Sequence, residues 1–186
     1  MSVEEEQMIE TLKRVAVVLK EKAIPFALAG GNALYAHGGP SSEHDCDFVL
    51  RREDVPAATK ALEHSGFRIE HPDSEDWLVK VWDEDRLVDL IFEVANRPVD
   101  EELLSRALTL EVQSVQMPVQ DVTDIMVSKL IVLNDHYCDF ARLIPPVRAL
   151  REKIDWPRLE DSARESPYAR AFVFLMRELD VAPPAD

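Results

Sequence analysis

The sequence predicts an α+β fold in which a mixed β-sheet is flanked by helices and followed by a helical C-terminal part. Three observations lead to this class. Apolar residues recur at helical spacing over residues 4–22, short apolar or alternating runs fill residues 26–119, and helical periodicity returns after residue 121. A chain of 186 residues can bury a sizeable core. We therefore divide it into an α/β core over residues 1–120 and a helical part over residues 121–186.

The first elements are bounded by glycine and proline. The first helix ends before Pro25, because a proline and the residue preceding it both leave the helical conformation. Gly66 is expected to end a later helix, because glycine commonly follows the last residue of a helix. The predicted elements of this part are a helix over 4–22, a strand over 26–29, a helix over 32–37 that turns off Gly31, a strand over 46–50 and a helix over 53–64.

The middle of the chain alternates between apolar and polar residues. The turn Asp83-Glu84-Asp85 joins two such runs, which predicts an antiparallel hairpin. A short helix and a short strand are expected to complete the sheet region. The predicted elements are strands over 67–70, 76–82 and 87–92, a helix near 100–107 and a strand near 115–119.

The last third is predicted to be entirely helical. Asp121 is a suitable N-cap for a long helix that runs to about Asn134. Pro145-Pro146 is expected to break any helix that enters it, because proline lacks the backbone N–H. The helices predicted after that break cover residues 147–154, 157–165 and 168–179.

The charge of the chain is strongly acidic and unevenly distributed. The net charge is −15, which argues against broad nonspecific binding to nucleic acid. Residues 139–186 nevertheless hold 8 of the 21 Lys and Arg residues against 9 of the 36 Asp and Glu residues. A polyanion, if one binds, is expected to bind this near-neutral part. The N-terminus shows no signal-peptide pattern and no apolar run could span a bilayer, so we expect a cytoplasmic protein with no membrane association.

Cysteine and tryptophan give no sign of a special site. Cys46 and Cys138 lack metal-binding spacing, so we expect both to be small buried hydrophobic residues in a reducing compartment. Trp77, Trp82 and Trp156 are too scattered to form a platform for base stacking, and we expect them to pack in the core or at an interface.

A Gly-Gly turn and an Asp-x-Asp motif carry the main chemical signal. Gly30-Gly31 lies between an apolar run and a helix, and Asp45 and Asp47 open the next apolar run. Side chains at i and i+2 of a strand share a face, so these carboxylates would repel unless a cation lay between them. Oxygen ligands suit Mg²⁺ that bridges substrate phosphates, and a Gly-Gly turn offers backbone amides to an anion. Together they predict a site for a metal–nucleoside triphosphate.

Asp89 stands inside the apolar run Leu87–Phe92. A carboxylate inside a buried strand is costly without a partner, so a salt-bridged or edge-strand aspartate is one interpretation. The other is that Asp89 faces the carboxylate pair from a neighbouring strand. It could then join the metal site or accept a proton from an attacking hydroxyl.

These motifs resemble the nucleotidyltransferase superfamily. The resemblance rests on Gly-Gly-Asn-Ala at 30–33, on Asp-Cys-Asp-Phe-Val-Leu at 45–50 and on Val-Asp-Leu-Ile-Phe at 88–92. It implies a mixed sheet flanked by helices. It also implies that Gly30, Gly31 and Asn32 hold the triphosphate, that Asp45 and Asp47 ligate Mg²⁺ (or Mn²⁺), and that Asp89 is the third carboxylate.

A narrower resemblance covers residues 121–130, which are similar to the Lys-Leu helix of AbiE-type and mycobacterial nucleotidyltransferase toxins. It implies that Lys129 contacts the nucleotide phosphates and that Asp135 or Asp139 completes the site. Asp139 is favoured by its Tyr-Cys-Asp-Phe setting. The alternative for Lys129 is a lysine that extends along an amphipathic helix to reach solvent.

We therefore expect an enzyme that moves a nucleoside monophosphate from an NTP such as ATP to an acceptor hydroxyl. The first hypothesis for the acceptor is the 3′ end of tRNA, with the chain acting as the toxin of a toxin–antitoxin pair. Arg148 and Arg151 would then contact the RNA, since they share a helix face. An aminoglycoside or lincosamide acceptor is the alternative, which the acidity of the chain favours. A noncatalytic nucleotide-binding module is a third hypothesis.

Overall fold

The computed structural model describes residues 3–40 and 46–184. No helix in these two ranges is both long enough and apolar enough to cross a membrane. The helices are α1 (Val3–Glu21), α2 (Gly30–Ala36), α3 (Val55–His64), α4 (Glu101–Ser105), α5 (Val122–Ile131), α6 (Phe140–Leu150), α7 (Trp156–Ala163) and α8 (Pro167–Glu178), with 3₁₀ turns at Arg52–Asp54 and Arg151–Lys153. The strands are β1 (Ala27–Ala29), β2 (Cys46–Val49), β3 (Arg68–Glu70), β4 (Leu78–Asp83), β5 (Arg86–Ile91), β6 (Glu93–Val94), β7 (Arg97–Pro98), β8 (Leu108–Val112) and β9 (Val115–Val119).

Seven strands form one mixed sheet in the order β3-β4-β5-β2-β1-β9-β8. The pairs β2–β5 and β1–β9 are parallel, and the other neighbours are antiparallel. Strands β6 and β7 form a separate two-stranded hairpin. The α+β class predicted from the sequence is confirmed. Because β1 and β2 run in opposite directions, the end of β1 lies beside the start of β2.

Apolar residues cover both faces of the sheet. The larger core cluster includes Leu12 of α1, Phe48 of β2, Leu130 of α5 and Phe172 of α8. A smaller cluster on the other face is built on Ala27, Ala29, Val49 and Val99 and is covered by Leu103 and Leu104 of α4. Helices α5 and α8 therefore share a core with the sheet. The division of the chain at residue 120 stays a prediction.

The predicted break at Pro145-Pro146 is wrong, because α6 runs through both prolines. Proline removes backbone donors from a helix interior, and this normally kinks or ends the helix. Here Leu143, Val147 and Leu150 form one buried helix face, and Pro146 itself is buried with them. Burial of this apolar face offsets the missing hydrogen bonds.

Two other expectations also fail. Strand β8 was not expected, since the turn that joins it to β9 contains no glycine. Gln113 and Ser114 adopt positive φ angles of 49° and 69° in that turn without the usual sequence signal. Cys138 is exposed rather than buried, because it lies in the loop between α5 and α6, whereas Cys46 is fully buried as expected.

A buried ion cluster joins α1 to the β4–β5 hairpin. Asp83, only 7% exposed, accepts hydrogen bonds of 2.7 Å from the Thr11 hydroxyl and from the Arg14 guanidinium. Arg86 lies 3.4 Å from the same carboxylate. Burial alone would raise the pKa of Asp83, but the hydrogen bonds from Thr11 and Arg14 and the charge of Arg14 outweigh it and hold the pKa below its ordinary value.

We predict that Asp83→Asn lowers the free energy of unfolding at pH 7 by about 1–3 kcal/mol, because Arg14 and Arg86 lose a charged partner. Since the folded-state pKa of Asp83 is lowered, its contribution is present at neutral pH and is lost as the pH falls through that folded-state pKa. Urea unfolding at pH 7 and at acidic pH measures both effects. Asp85→Asn, at a neighbouring side chain that is 93% exposed, is the control. Equal unfolding free energies for Asp83→Asn and the wild type would contradict the prediction.

Candidate active site

Four residues on four neighbouring strands form a row across the sheet. Ala29 of β1 pairs with Asp47 of β2, Asp47 pairs with Asp89 of β5, and Asp89 pairs with Lys80 of β4. Residues directly opposite each other on neighbouring strands project from the same face, and neighbouring strands lie about 4.8 Å apart. The two carboxylates are therefore adjacent. Asp45 lies outside the described residues, so its pairing with Asp47 stays a prediction.

Gly30 brings the Gly-Gly turn against the Asp47 carboxylate. Its φ angle is +62°, a conformation that side chains other than glycine rarely adopt. A Cβ atom on Gly30 would collide with Asp47 Oδ2. Helix α2 starts at Gly30 itself, two residues earlier than expected. The two motifs that the sequence singles out thus touch, and only glycine permits this approach.

An open cleft of about 860 Å³ lies on the sheet face that carries the row, although none of the four row residues lines it. Ile91 lines the cleft and projects from the same sheet face as Asp89, since it lies two residues further along β5. Gly31 and Lys129 line the same cleft. The structure therefore brings the Gly-Gly turn and the predicted phosphate-binding lysine together, although about 100 residues separate them in the sequence.

Of the two aspartates considered after Lys129, only Asp139 lines the cleft. It caps α6 by accepting a hydrogen bond from the Ala141 N–H, and it forms a 3.1 Å ion pair with Arg142. Asp135 does not line the cleft and lies 3.9 Å from His136. The location agrees with the preference for Asp139, whose role stays a prediction.

Lys80 is a cation in the row that the sequence analysis missed. It donates a 2.5 Å hydrogen bond to Glu75. This bond, together with the nearby carboxylates of Asp89 and Glu70, raises the pKa of Lys80, so the ammonium is charged at neutral pH. The sequence could have revealed this pairing through the Asp83-Glu84-Asp85 turn. A two-residue loop between Asp83 and Arg86 fixes the register of β4 against β5, and this register sets Lys80 opposite Asp89.

Ion pairs fix the helix that carries Lys129. Asp121 caps α5 and accepts a hydrogen bond from Arg158. The same guanidinium also donates a 2.7 Å hydrogen bond to Asp124. Arg106 donates to the same Asp124 carboxylate at 2.7 Å. Because these contacts join α5 to α7 and to the segment after α4, the orientation of Lys129 depends on residues far from it in the sequence.

The other end of α2 is held by a buried histidine. His37 donates from Nε2 to the Gln120 carbonyl at 2.9 Å, and its own carbonyl accepts a 2.8 Å hydrogen bond from Lys153. Burial lowers the pKa of His37, so the imidazole is neutral at pH 7. These bonds connect the helix that begins with Gly30-Gly31 to the end of β9 and to the C-terminal helices.

Two aromatic side chains line the cleft, whereas two arginines predicted to bind the acceptor do not. Trp77 is not core packing: it is 38% exposed and lines the cleft, as does Tyr137, which is 55% exposed. Neither aromatic residue was predicted to belong to the site. Arg148 and Arg151 are both exposed, but neither lines the cleft, and Arg151 forms a 3.2 Å ion pair with Glu152.

The donor set fits a hard divalent cation. Within residues 3–40 and 46–184, no group of three or more His, Cys, Asp or Glu side chains is arranged to hold a metal ion. Asp47 and Asp89 offer carboxylate oxygens side by side, and the absence of a Cβ on Gly30 lets the Asp47 carboxylate lie against the Gly-Gly turn. Carboxylate oxygens are the ligands that Mg²⁺ takes in phosphate-binding sites. Asp47 and Asp89 therefore suit Mg²⁺ or Mn²⁺.

The chain matches a known protein family. A family model described as an uncharacterised nucleotidyltransferase matches residues 2–179. The chain belongs to this nucleotidyltransferase family. The superfamily predicted from the sequence motifs is thereby confirmed. No curated protein sequence matches the chain.

Solved nucleotidyltransferase structures share the fold. ANT(2″)-Ia in complex with adenylyl-2″-tobramycin is 16% identical with a TM-score of 0.52, over 94% of this chain and 92% of that one. The lincosamide adenylyltransferase LnuA, with lincomycin bound, is 10% identical with a TM-score of 0.51, over 74% and 92%. An antigenic nucleotidyltransferase-like protein from Paracoccidioides brasiliensis is 14% identical with a TM-score of 0.54, over 93% and 88%. These likenesses establish the fold.

We predict that Gly30→Ala and Gly38→Ala lower the free energy of unfolding by similar amounts but differ in their effect on nucleotide binding. Both glycines have positive φ angles, so alanine adds about 1–2 kcal/mol of backbone strain at each. A Cβ atom meets nothing within 4 Å at Gly38, whereas at Gly30 it displaces the Asp47 carboxylate. Calorimetric titration with Mg²⁺ and a nonhydrolysable NTP should show binding lost only in Gly30→Ala. Equal affinities of the two variants would contradict the role of this contact.

Proposed function

We propose that the chain transfers a nucleoside monophosphate from a metal-bound NTP to a hydroxyl group of a small organic acceptor held in the cleft. One observation carries this proposal. Asp47 lies directly against Gly30 and pairs in register with Asp89, on the sheet face from which Ile91 lines the cleft with Gly31 and Lys129. Carboxylates, a glycine turn and a lysine are the groups that would position a metal–triphosphate for attack.

The side chains divide into a metal-binding set and a phosphate-binding set. Asp47, with Asp45 beside it in the sequence, would hold Mg²⁺ or Mn²⁺, and the ion would neutralise charge on the phosphates. Gly31 and Asn32 would present backbone amides to the triphosphate. Lys129 is half-buried and lines the cleft, which favours contact with phosphate over extension into bulk solvent. Its ammonium would stabilise the charge that develops on the leaving pyrophosphate.

Asp89 would activate the acceptor. Its carboxylate would accept the proton of the attacking hydroxyl as the hydroxyl oxygen forms a bond to the α-phosphorus. The bond from the α-phosphorus to the bridging oxygen breaks at the same time, and pyrophosphate leaves. Lys80 lies opposite Asp89 in the row and is held by Glu75, so its charge would attract and orient the Asp89 carboxylate.

Cleft size and charge favour a small acceptor. A cleft of about 860 Å³ falls within the range of small-molecule sites, about 300–1,000 Å³. The net charge of −15 disfavours approach of a polyanion. ANT(2″)-Ia with an adenylylated tobramycin and LnuA with lincomycin are examples of this fold with small molecules bound.

The activity is tested with α-labelled NTPs and Mg²⁺, offered with tobramycin, lincomycin or total tRNA. We predict that Asp47→Asn lowers the rate of label transfer by at least about a hundredfold, the scale of losing one preorganised electrostatic contact. Asp73→Asn, which changes an exposed carboxylate outside the cleft, is the matched control. Transfer by Asp47→Asn at the wild-type rate would refute the site. Nucleotide binding without transfer to any hydroxyl acceptor would instead indicate the noncatalytic module.

The second candidate is the tRNA 3′ end, with the chain as a toxin that a partner antitoxin neutralises. The distribution of arginines on and after α6 favours it. Arg142 lines the cleft, and exposed Arg148 and Arg151 follow along the same helix and the 3₁₀ turn after it. Together they would give RNA a basic path to the nucleotide.

If tRNA is the acceptor, reversing Arg148 and Arg151 to Glu should abolish tRNA labelling and leave NTP binding unchanged, because neither residue lines the cleft. Each lost phosphate contact should also reduce, by about one, the slope of the logarithm of RNA affinity against the logarithm of salt concentration. The control is Arg164→Glu with Arg170→Glu, which changes two exposed arginines, one directly after α7 and one in α8. Unchanged tRNA labelling after the first reversal would rule out this RNA path.

A further inference from the structure

Exposed apolar side chains line the cleft, and its wall around Trp77 is called the apolar wall. Three of the eight large hydrophobic side chains that are exposed in residues 3–40 and 46–184 line this cleft: Trp77, Val132 and Tyr137. Exposed apolar groups gathered in one concave surface mark ligand sites more often than scattered ones do. The nucleotide would use the Gly31 and Lys129 part of the cleft. The apolar wall therefore needs a different explanation.

Trp77 belongs to the part of the wall that continues from Asp89. Its carbonyl accepts hydrogen bonds of 3.0 Å from the Phe92 N–H and 3.3 Å from the Glu93 N–H, directly after β5. Ile91 and Glu93 follow Asp89 at two-residue intervals and also line the cleft. A hydroxyl group that reaches Asp89 would thus belong to a molecule lying along Ile91, Glu93 and Trp77.

The rim of this wall is a tight hairpin. Strands β6 and β7 are joined by Ala95 and Asn96, whose φ angles of 52° and 60° are those of a two-residue hairpin turn. Val94, Ala95 and Asn96 line the cleft. Because such a turn has little conformational freedom, the wall is preformed and would select its ligand by shape.

Glu93 adds a carboxylate to this apolar wall. Its Oε2 atom lies 3.4 Å from Arg52, near the limit of a hydrogen bond, and Arg52 also packs over the Phe92 ring at 4.3 Å. The ion pair with Arg52 is made through Oε2 of Glu93. Asp139, across the cleft, is satisfied by Arg142 and the Ala141 N–H. Glu93 is thus the carboxylate placed to receive a cationic group from a ligand on Trp77.

We propose that Trp77 and Glu93 form the acceptor subsite, and that the acceptor is a ring compound carrying both a hydroxyl and an amine. Its apolar ring face lies on Trp77, its ammonium meets Glu93, and its hydroxyl reaches Asp89. An ammonium over an indole gains attraction from the ring as well as from the carboxylate. This inference rests on the proposed function, since it assumes that Asp89 activates the acceptor.

The test uses matched probes that differ in whether their amines are charged. Tobramycin and 4-(aminomethyl)benzyl alcohol are each compared with their fully N-acetylated forms, which keep the rings and hydroxyls but lose the cations. Binding is measured calorimetrically in the presence of Mg²⁺ and a nonhydrolysable NTP. We expect at least one amine to bind about tenfold more tightly than its N-acetyl form, the result of about 1.4 kcal/mol of added interaction. Glu93→Gln should remove this preference, and Trp77→Ala should weaken binding of both forms about tenfold.

Two variants control for nonspecific effects. Asp73→Asn removes an exposed carboxylate that does not line the cleft, and Phe174→Ala removes an aromatic side chain that is 63% exposed on α8. Both should leave probe affinity unchanged. NTP affinity should be unchanged in Glu93→Gln and Trp77→Ala. If Trp77→Ala weakens NTP binding instead, Trp77 holds the nucleobase and the inference is wrong.

Transfer of label from α-labelled NTP, measured in parallel, separates this inference from the proposed function. Binding of amines with the expected Glu93 dependence but no label transfer would overturn the proposed function and leave the subsite standing. Label transfer to tRNA or to a neutral acceptor, with no preference for amines, would overturn the subsite and leave transferase activity standing. Failure of binding and transfer together would overturn both.

Discussion

The contact between the Gly30 backbone and the Asp47 carboxylate is the constraint on which the rest of the site depends. It exists because β1 ends where the antiparallel strand β2 begins, so that Ala29 and Asp47 are paired. A side chain at residue 30 would force the carboxylate away. With glycine there, the turn that would hold phosphate and the carboxylate that would hold metal occupy one small volume. Strand β5 adds Asp89 because it runs parallel to β2 in a register that pairs the two aspartates.

Around this contact, charge is compensated locally in a chain that is acidic as a whole. Lys80 stands beside Asp89, Arg106 and Arg158 satisfy Asp124, and Arg14 satisfies Asp83. The ion pairs of Asp124 and Asp83 also join elements distant in the sequence. The same contacts that reduce repulsion among carboxylates therefore hold the helices and strands that position the cleft. A carboxylate that loses its cation would weaken both the fold and the placement of the site.

The sequence predicted the parts of the site that depend on local geometry. A Gly-Gly turn after an apolar run and an aspartate inside an apolar strand each cost folding free energy. Such departures from the usual local pattern can be seen in the sequence itself. Lys80 and Trp77 were missed because their importance comes from strand pairing and from a cleft wall, which single-residue patterns do not contain. The helix through Pro145-Pro146 was missed for the converse reason, since tertiary burial outweighed a strong local signal. The role of Asp45 remains a prediction, as residues 41–45 lie outside the described ranges.

The most direct test of the account is a crystal structure of the full chain with Mn²⁺ and a nonhydrolysable NTP, in which anomalous scattering locates the metal. The account predicts a manganese peak at the Asp47 carboxylate, with the triphosphate against Gly31 and within reach of the Lys129 ammonium. A metal–nucleotide complex bound elsewhere on the chain, with Asp47 and Asp89 contacting neither metal nor phosphate, would contradict it.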